Sequence, residues 1–311
     1  MRWKRGNRLK LVSESEAPDR TRKILREVRE SLGVPCVPKL YEAYAAFPKF
    51  LEVHWEAFRP VVHSRQFVVL GARLAAESYT RAHNYFDVPV LPQVEAGRRP
   101  VRTLSVSQVL DYYQYLDPLL LLIAAAQMRA LEEGVGAPKG RVDAAVHPEF
   151  VAAPCLLGDA EAPPAVQRSW QERGRLLELA FISDEHRALA CWGDFYLAYW
   201  VALKDLFASP VYADCQYRLA ESALHMAGEL PVRVETCISE LIEAGLSDEE
   251  VAAVAGANEL FVHALTGLVL DITFARIGVE KAASGAEPAA ATDTKPETRH
   301  KKRTRSPIRA A

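Results

Sequence analysis

Four consecutive residues, Ser183-Asp184-Glu185-His186, bring together a hydroxyl, two carboxylates and an imidazole just ahead of a segment carrying Trp192 and Trp200. Two readings compete for this group. As a helix start, Ser183 is an N-cap whose hydroxyl accepts a backbone N–H, and Asp184 and Glu185 favour the positive end of the helix dipole. As chemistry, the same dipole keeps the Asp184 carboxylate ionised, so that Asp184 is available as a base at neutral pH. Other catalytic signatures are missing: no G-x-S-x-G, no H-E-x-x-H, and no glycine loop cradling phosphate ahead of a helix. Gly134-Val135-Gly136 with Gly140 has the wrong spacing and no strand before it. The eight histidines are dispersed without a ligand pair, so no metal is expected.

The elements that must position these residues read as helices. Tyr44, Phe47, Leu51, Trp55, Phe58 and Val62 recur every three or four positions, and Trp192, Phe195, Tyr196, Tyr199, Trp200 and Leu203 repeat the pattern. These stripes are core faces. Strict alternation with hairpin turns is absent, so the expected fold class is all-α. The chain also matches itself. Phe50, Trp55, Ala57 and Arg59 fall on Phe195, Trp200, Ala202 and Lys204 at an offset of 145, as do Ser64 on Ser209 and Arg73-Leu74-Ala75 on Arg218-Leu219-Ala220. After a three-residue loss, Leu104-Ser105 and Val109 match Leu246-Ser247 and Val251. Two tandem helical repeats forming an internal pseudo-dimer follow, with the seam as the natural place for one asymmetric site.

The expected organisation is a basic N-terminal segment over 1–23, repeat one over 24–133, a Gly- and Pro-rich connector over 134–165 carrying a short helix near Glu149, repeat two over 166–281, and a disordered basic tail over 282–311. The tail is either inert or a contact for nucleic acid or another anionic surface. The 311 residues, half of them hydrophobic, suffice for one large core or two ordinary ones. A net charge of −2 gives no global argument for nucleic acid or membrane. The run from Pro118 to Ala126 is too short to span a bilayer. Five cysteines without a CxxC fit reduced thiols and a cytoplasmic location.

Beyond these features the chain resembles the group I 2-haloacid dehalogenases, also catalogued as halocarboxylic acid dehydrogenases. The resemblance runs from about Leu32 to Ile277. Val34-Pro35, Ala45-Ala46-Phe47-Pro48 with Leu51 and Trp55, Leu120-Leu121-Leu122-Ile123 after Pro118, Ser183-Asp184, Ala188-Leu189-Ala190-Cys191-Trp192 and Asp271-Ile272-Thr273 carry it. It implies a hydrolase without a cofactor, in which Asp184, preceded by Ser183, activates a water that displaces halide directly from C2 of a short 2-haloacid, D or L. A small organic acid is the implied partner, with homodimerisation left open.

The departures from the family pattern lie in the pocket. Cys36 replaces a Trp, Lys39 an aromatic residue, Asp117 the Asn that helps hold the water, and Leu265 a Tyr, with His263 nearby. An ionised Asp117 about 5 Å from a haloacid carboxylate would repel it by roughly 3 kcal/mol at an effective dielectric of 20. Asp117 could hold a proton, be neutralised by Lys39, or simply cap a helix beginning at Pro118. The alternative to a dehalogenase is a member that has lost catalysis, a helical scaffold or small-ligand binder.

Overall fold

The computed structural model describes residues 9–94, 104–137, 142–148, 150, 152–177 and 181–285. Their elements are α1 (Asp19–Ser31), α2 (Lys39–Tyr44), α3 (Pro48–Val62), α4 (Arg65–Tyr85), α5 (Val106–Ala130), α6 (Pro164–Leu176), α7 (Asp184–Leu189), α8 (Gly193–Phe207), α9 (Pro210–Ala227), α10 (Ile238–Glu243) and α11 (Asp248–Ala283). Among the described residues the only β-pairing is two isolated bridges, Ser64 with Ala144 and Val135 with Val234. The fold is all-α.

Local chemistry starts the long helices. The hydroxyls of Ser64, Ser105, Ser209 and Ser247 each accept a first-turn backbone N–H, and Ser105 with Gln108 and Ser247 with Glu250 close full capping boxes. Helices α5 and α11 pack most extensively on one another, and α4 and α9 pack against both. Every residue from Leu116 to Gln127 and from Ala264 to Ala275 is buried, which is why these stretches are apolar all round rather than striped. Helix α11 is long and apolar enough to cross a membrane by length and composition, and its most apolar stretch is 83 % buried inside the protein. Outside this centre, α1 packs on α3 and α6 on α8. Trp55 of α3 donates its indole N–H to Glu27 of α1 (3.1 Å), and Trp200 of α8 donates to Glu172 of α6 (2.9 Å).

Several expected boundaries move. Helix α1 begins at Asp19, inside the segment read as a basic arm, because its apolar face (Leu25, Val28) docks on the core. Helix α6 begins at Pro164, within the expected connector, and α11 runs on to Ala283. Pro118 starts no helix. It lies in the middle of α5, so Asp117 caps nothing. The expected helix near Glu149 and the tail from residue 286 lie outside the described residues.

A buried polar network joins the second half of the chain to α11. Arg173 of α6 is almost wholly enclosed, with Nη2 3.7 Å from Asp271 Oδ2, and His186 Nε2 stands at the same distance from that oxygen. Tyr212 donates to Asp271 Oδ1 (2.6 Å) and Tyr199 to the Asp271 carbonyl (3.2 Å). His186 Nδ1 meets the Tyr196 hydroxyl at 3.0 Å. Burial, and then the Arg173 charge, holds His186 down to about 4, so it is neutral at pH 7. Removing one member of a buried ion pair strands the other charge. Arg173→Met should therefore lower the unfolding free energy by about 3–5 kcal/mol in urea titration, and adding Asp271→Asn should recover part of the loss. A single-variant loss below about 1 kcal/mol would contradict this account of the network.

Candidate active site

Two six-residue helices, α2 and α7, open onto one cleft with their first residues, Lys39 and Asp184. The cleft opens to solvent and leaves about 50 Å³ accessible to the centre of a water-sized molecule. One wall is Tyr112, Tyr113, Leu116 and Leu120 from α5, and the other is Phe261, Ala264, Leu265 and Leu268 from α11. Proline sets the entry to α2, because Pro38 stands at its N-cap with a fixed extended backbone. Ser183 occupies the N-cap of α7, yet its hydroxyl accepts no capping hydrogen bond. Its Oγ is buried without a partner and lines the cleft, so the expected capping role fails.

Asp184 has a side chain 20 % exposed, and its buried Oδ1 accepts no hydrogen bond from the protein. Lys39 Nζ stands 3.9 Å from that oxygen and donates to Glu42 Oε2 at 2.6 Å. The helix end, expected to keep the Asp184 carboxylate ionised, is opposed here by burial. Burial in the apolar cleft raises the Asp184 pKa to about 7, with Glu185 and Glu42 adding to the rise and Lys39 and Arg187 opposing it. Burial pulls Lys39 downward, but Asp184 and Glu42 more than offset it, and the ammonium ends above its ordinary value. Cys36 lies at the cleft with its thiol pushed up, by burial first and then by Asp184, so it is not a thiolate nucleophile.

Leu265 lines the cleft as expected, but His263 does not. Two residues amount to about 200° of helix, and His263 faces solvent from the far side of α11. Asp117 is also displaced from its expected place. It is wholly buried, does not line the cleft, and receives no N–H or hydroxyl donor at either oxygen. Its pKa is raised well above the carboxylate range, first by burial and then by the Glu185 charge. Burial favours the neutral form of Asp117, which lessens the repulsion that an ionised carboxylate would exert on an anion.

Three polar cleft residues were missed. Glu185 was read only as a first-turn acid, yet it lines the cleft with Oε2 buried and unpartnered. Tyr112 and Tyr113 share a helix face with Leu116 and Leu120, a spacing visible in the sequence once α5 is known to begin at Val106.

The Asp184 shift fixes a dependence of stability on pH. A carboxyl with a pKa near 7 when folded and about 3.9 when unfolded binds more proton in the native state between those values. Its contribution is thus complete below about pH 4 and lost as pH rises through 7. Asp184→Asn removes that loss. Relative to the parent, the variant should gain on the order of 1 kcal/mol or more at pH 8 over its standing at pH 4, measured as a difference in urea midpoints. Equal differences at the two pH values would contradict the buried, raised carboxyl.

Residues 35–186 match the family described as halocarboxylic acid dehydrogenase DehI. An (R)-2-haloacid dehalogenase from Pseudomonas putida is 24% identical over 272 residues, covering 84% of this chain and 90% of that protein. A second (R)-2-haloacid dehalogenase, from Rhizobium sp. (strain NHG3), is 20% identical over 72% of this chain and 88% of its own length. The fold is similar to a D-2-haloacid dehalogenase solved in complex with L-LA, with a TM-score of 0.81 at 22% identity over 90% of this chain and 99% of that one. A mutant of a D-2-haloacid dehalogenase with D-2-CPA gives a TM-score of 0.80 at 22% identity over 90% of this chain and 98% of that one. The family match covers just under half of the chain, and the curated relatives it resembles over most of its length are 2-haloacid dehalogenases.

Proposed function

We propose that the protein is a hydrolase of carbon–halogen bonds, in which Asp184 activates water for direct attack on C2 of a 2-haloacid. The observation that carries this reading is Asp184 itself, a carboxylate with a buried, unpartnered Oδ1 and a pKa near 7, set between apolar walls. That oxygen is free to accept a water O–H, and a base with a pKa near the working pH is well matched to taking the proton. The water oxygen forms the bond to C2, the C2–halogen pair leaves with the halide, and the water proton passes to Asp184. Ser183 Oγ, buried and unpartnered beside it, supplies a second polar contact for water or substrate. The protein groups needed for these steps are all in the cleft, and no cofactor enters them.

We further infer that the chain is an internal duplication with the cleft at its seam. Helices α1, α2 and α3 start 145 positions before α6, α7 and α8 and match them in length, at 13, 6 and 15 residues. The two Trp-to-Glu hydrogen bonds keep the same spacing at both ends. On this reading Lys39 and Asp184 are equivalent positions that have diverged into a cation and a base. A site open from two related halves gives water access to either enantiomer, which supports activity on D or L acids.

Halide release from 2-chloropropanoate tests the activity. kcat/KM should rise with pH and level off above about pH 7, because the base works when ionised and its pKa is about 7. Asp184→Asn should abolish release, and unchanged activity in that variant would remove the proposed base. Lys39→Met takes away the cation that holds the Asp184 pKa down, so the rising limb should move to higher pH.

Asp117→Asn provides a separate check. Since burial favours the neutral form of Asp117, the amide changes little charge near the substrate, and KM should stay within about threefold of the parent. A tenfold or greater fall in KM would mean that Asp117 is ionised and repels the acid.

A further inference from the structure

The cleft is chemically mixed. Lys39, Ser183, Asp184 and Glu185 bring charge and a hydroxyl to its lining, and α5 and α11 bring large apolar side chains. Among the described residues, Lys39 is the one cation lining the cleft. An ammonium has three protons, and the bond to Glu42 uses one, so Nζ can still hold a carboxylate. Nζ is 3.9 Å from Asp184 Oδ1, and C1 and C2 of an acid are about 1.5 Å apart. A carboxylate on Lys39 therefore brings C2 within reach of a water held by Asp184. The group attached to C2 can then lie on the wall of Leu116, Leu120, Phe261, Leu265 and Leu268, each no more than 5% exposed. The methyl of a three-carbon acid covers little of that wall, and none of these five side chains can hydrogen-bond water there. A second carboxylate would meet Asp184 and Glu185.

We infer that the natural substrates are 2-halo monocarboxylates with an apolar chain beyond C3, the carboxylate seated on Lys39 and the chain lying along the leucine and phenylalanine wall. The inference rests on the dehalogenase reading and gives it a substrate class.

The test measures halide release with 2-chloropropanoate, 2-chlorobutanoate and 2-chlorohexanoate, with calorimetry of butanoate and hexanoate binding alongside. Each buried methylene is worth about 0.8 kcal/mol, or roughly fourfold. kcat/KM should rise by about that factor per carbon, and hexanoate should bind about fifteenfold tighter than butanoate. Leu268→Asn should lose more on the longest acid than on the shortest. Lys39→Met, assayed on the plateau of its own pH profile, should raise KM for every acid at least about tenfold, and 2-chlorosuccinate should be a poor substrate. Halide release that is flat or falls with chain length, with hexanoate no tighter than butanoate, overturns the chain-binding inference and leaves the dehalogenase reading standing. Graded alkanoate binding without halide from any acid overturns the dehalogenase reading and leaves the acid-and-chain site. Lys39→Met with unchanged KM and Kd removes Lys39 as the carboxylate anchor.

Discussion

Asp184 sits where two opposing electrostatic effects nearly balance. Burial between the apolar faces of α5 and α11 disfavours its charge, with Glu185 and Glu42 pushing the same way, while Lys39 at 3.9 Å pulls in the opposite direction. Without the cation, the carboxyl would titrate at higher pH and be mostly protonated at neutral pH. Without the apolar walls it would be an ordinary surface acid, too weak a base to take a proton from water. The remaining acid at the site, Asp117, weighs less in the balance because burial favours its neutral form. The cleft thus carries less negative charge than its sequence suggests.

Holding that balance requires a rigid α7, a helix of only six residues. An isolated helix so short has no stability of its own. Its support comes from tertiary contacts two positions past the base, where His186 meets Tyr196 and lies beside the Arg173–Asp271 pair. Asp271 in turn is fixed by Tyr212 and Tyr199. On the opposite lip, α2 is tied to the same central helices, since Tyr44 donates to Asn258 of α11 and Asn258 donates to the Ala124 carbonyl of α5 (2.9 Å). Both chemical groups are therefore referenced to the α5–α11 pair that also forms the apolar walls.

Much of this was legible in the sequence, for identifiable reasons. The aromatic stripes of α3 and α8 have the helical period, and the serines before α4, α5, α9 and α11 are good caps, so element type could be read directly. The Ser183-Asp184 pair stood out by its residue types. What could not be read was direction and burial. Asp117 and Leu116 are neighbours in the chain but face different ways on α5, and only packing decides that Leu116 lines the cleft while Asp117 is enclosed. The same holds for Leu265 and His263 on α11. Pro118 misled because a proline inside a helix resembles a helix start when the upstream boundary is unknown. The serine hydroxyl at 183 looked like a cap because position alone does not say whether the hydrogen bond is made.

The central claim is that water, not the carboxylate, attacks carbon. A single turnover with enzyme in excess over 2-chloropropanoate, run in water enriched in oxygen-18 and followed by mass spectrometry, tests it most directly. Direct attack by water puts the label in the 2-hydroxyl of the product in that first turnover and leaves the peptide containing Asp184 unlabelled. Unlabelled product, with oxygen-18 accumulating in that peptide over later turnovers, would mean that Asp184 forms an ester with C2, and the account given for its role would be wrong.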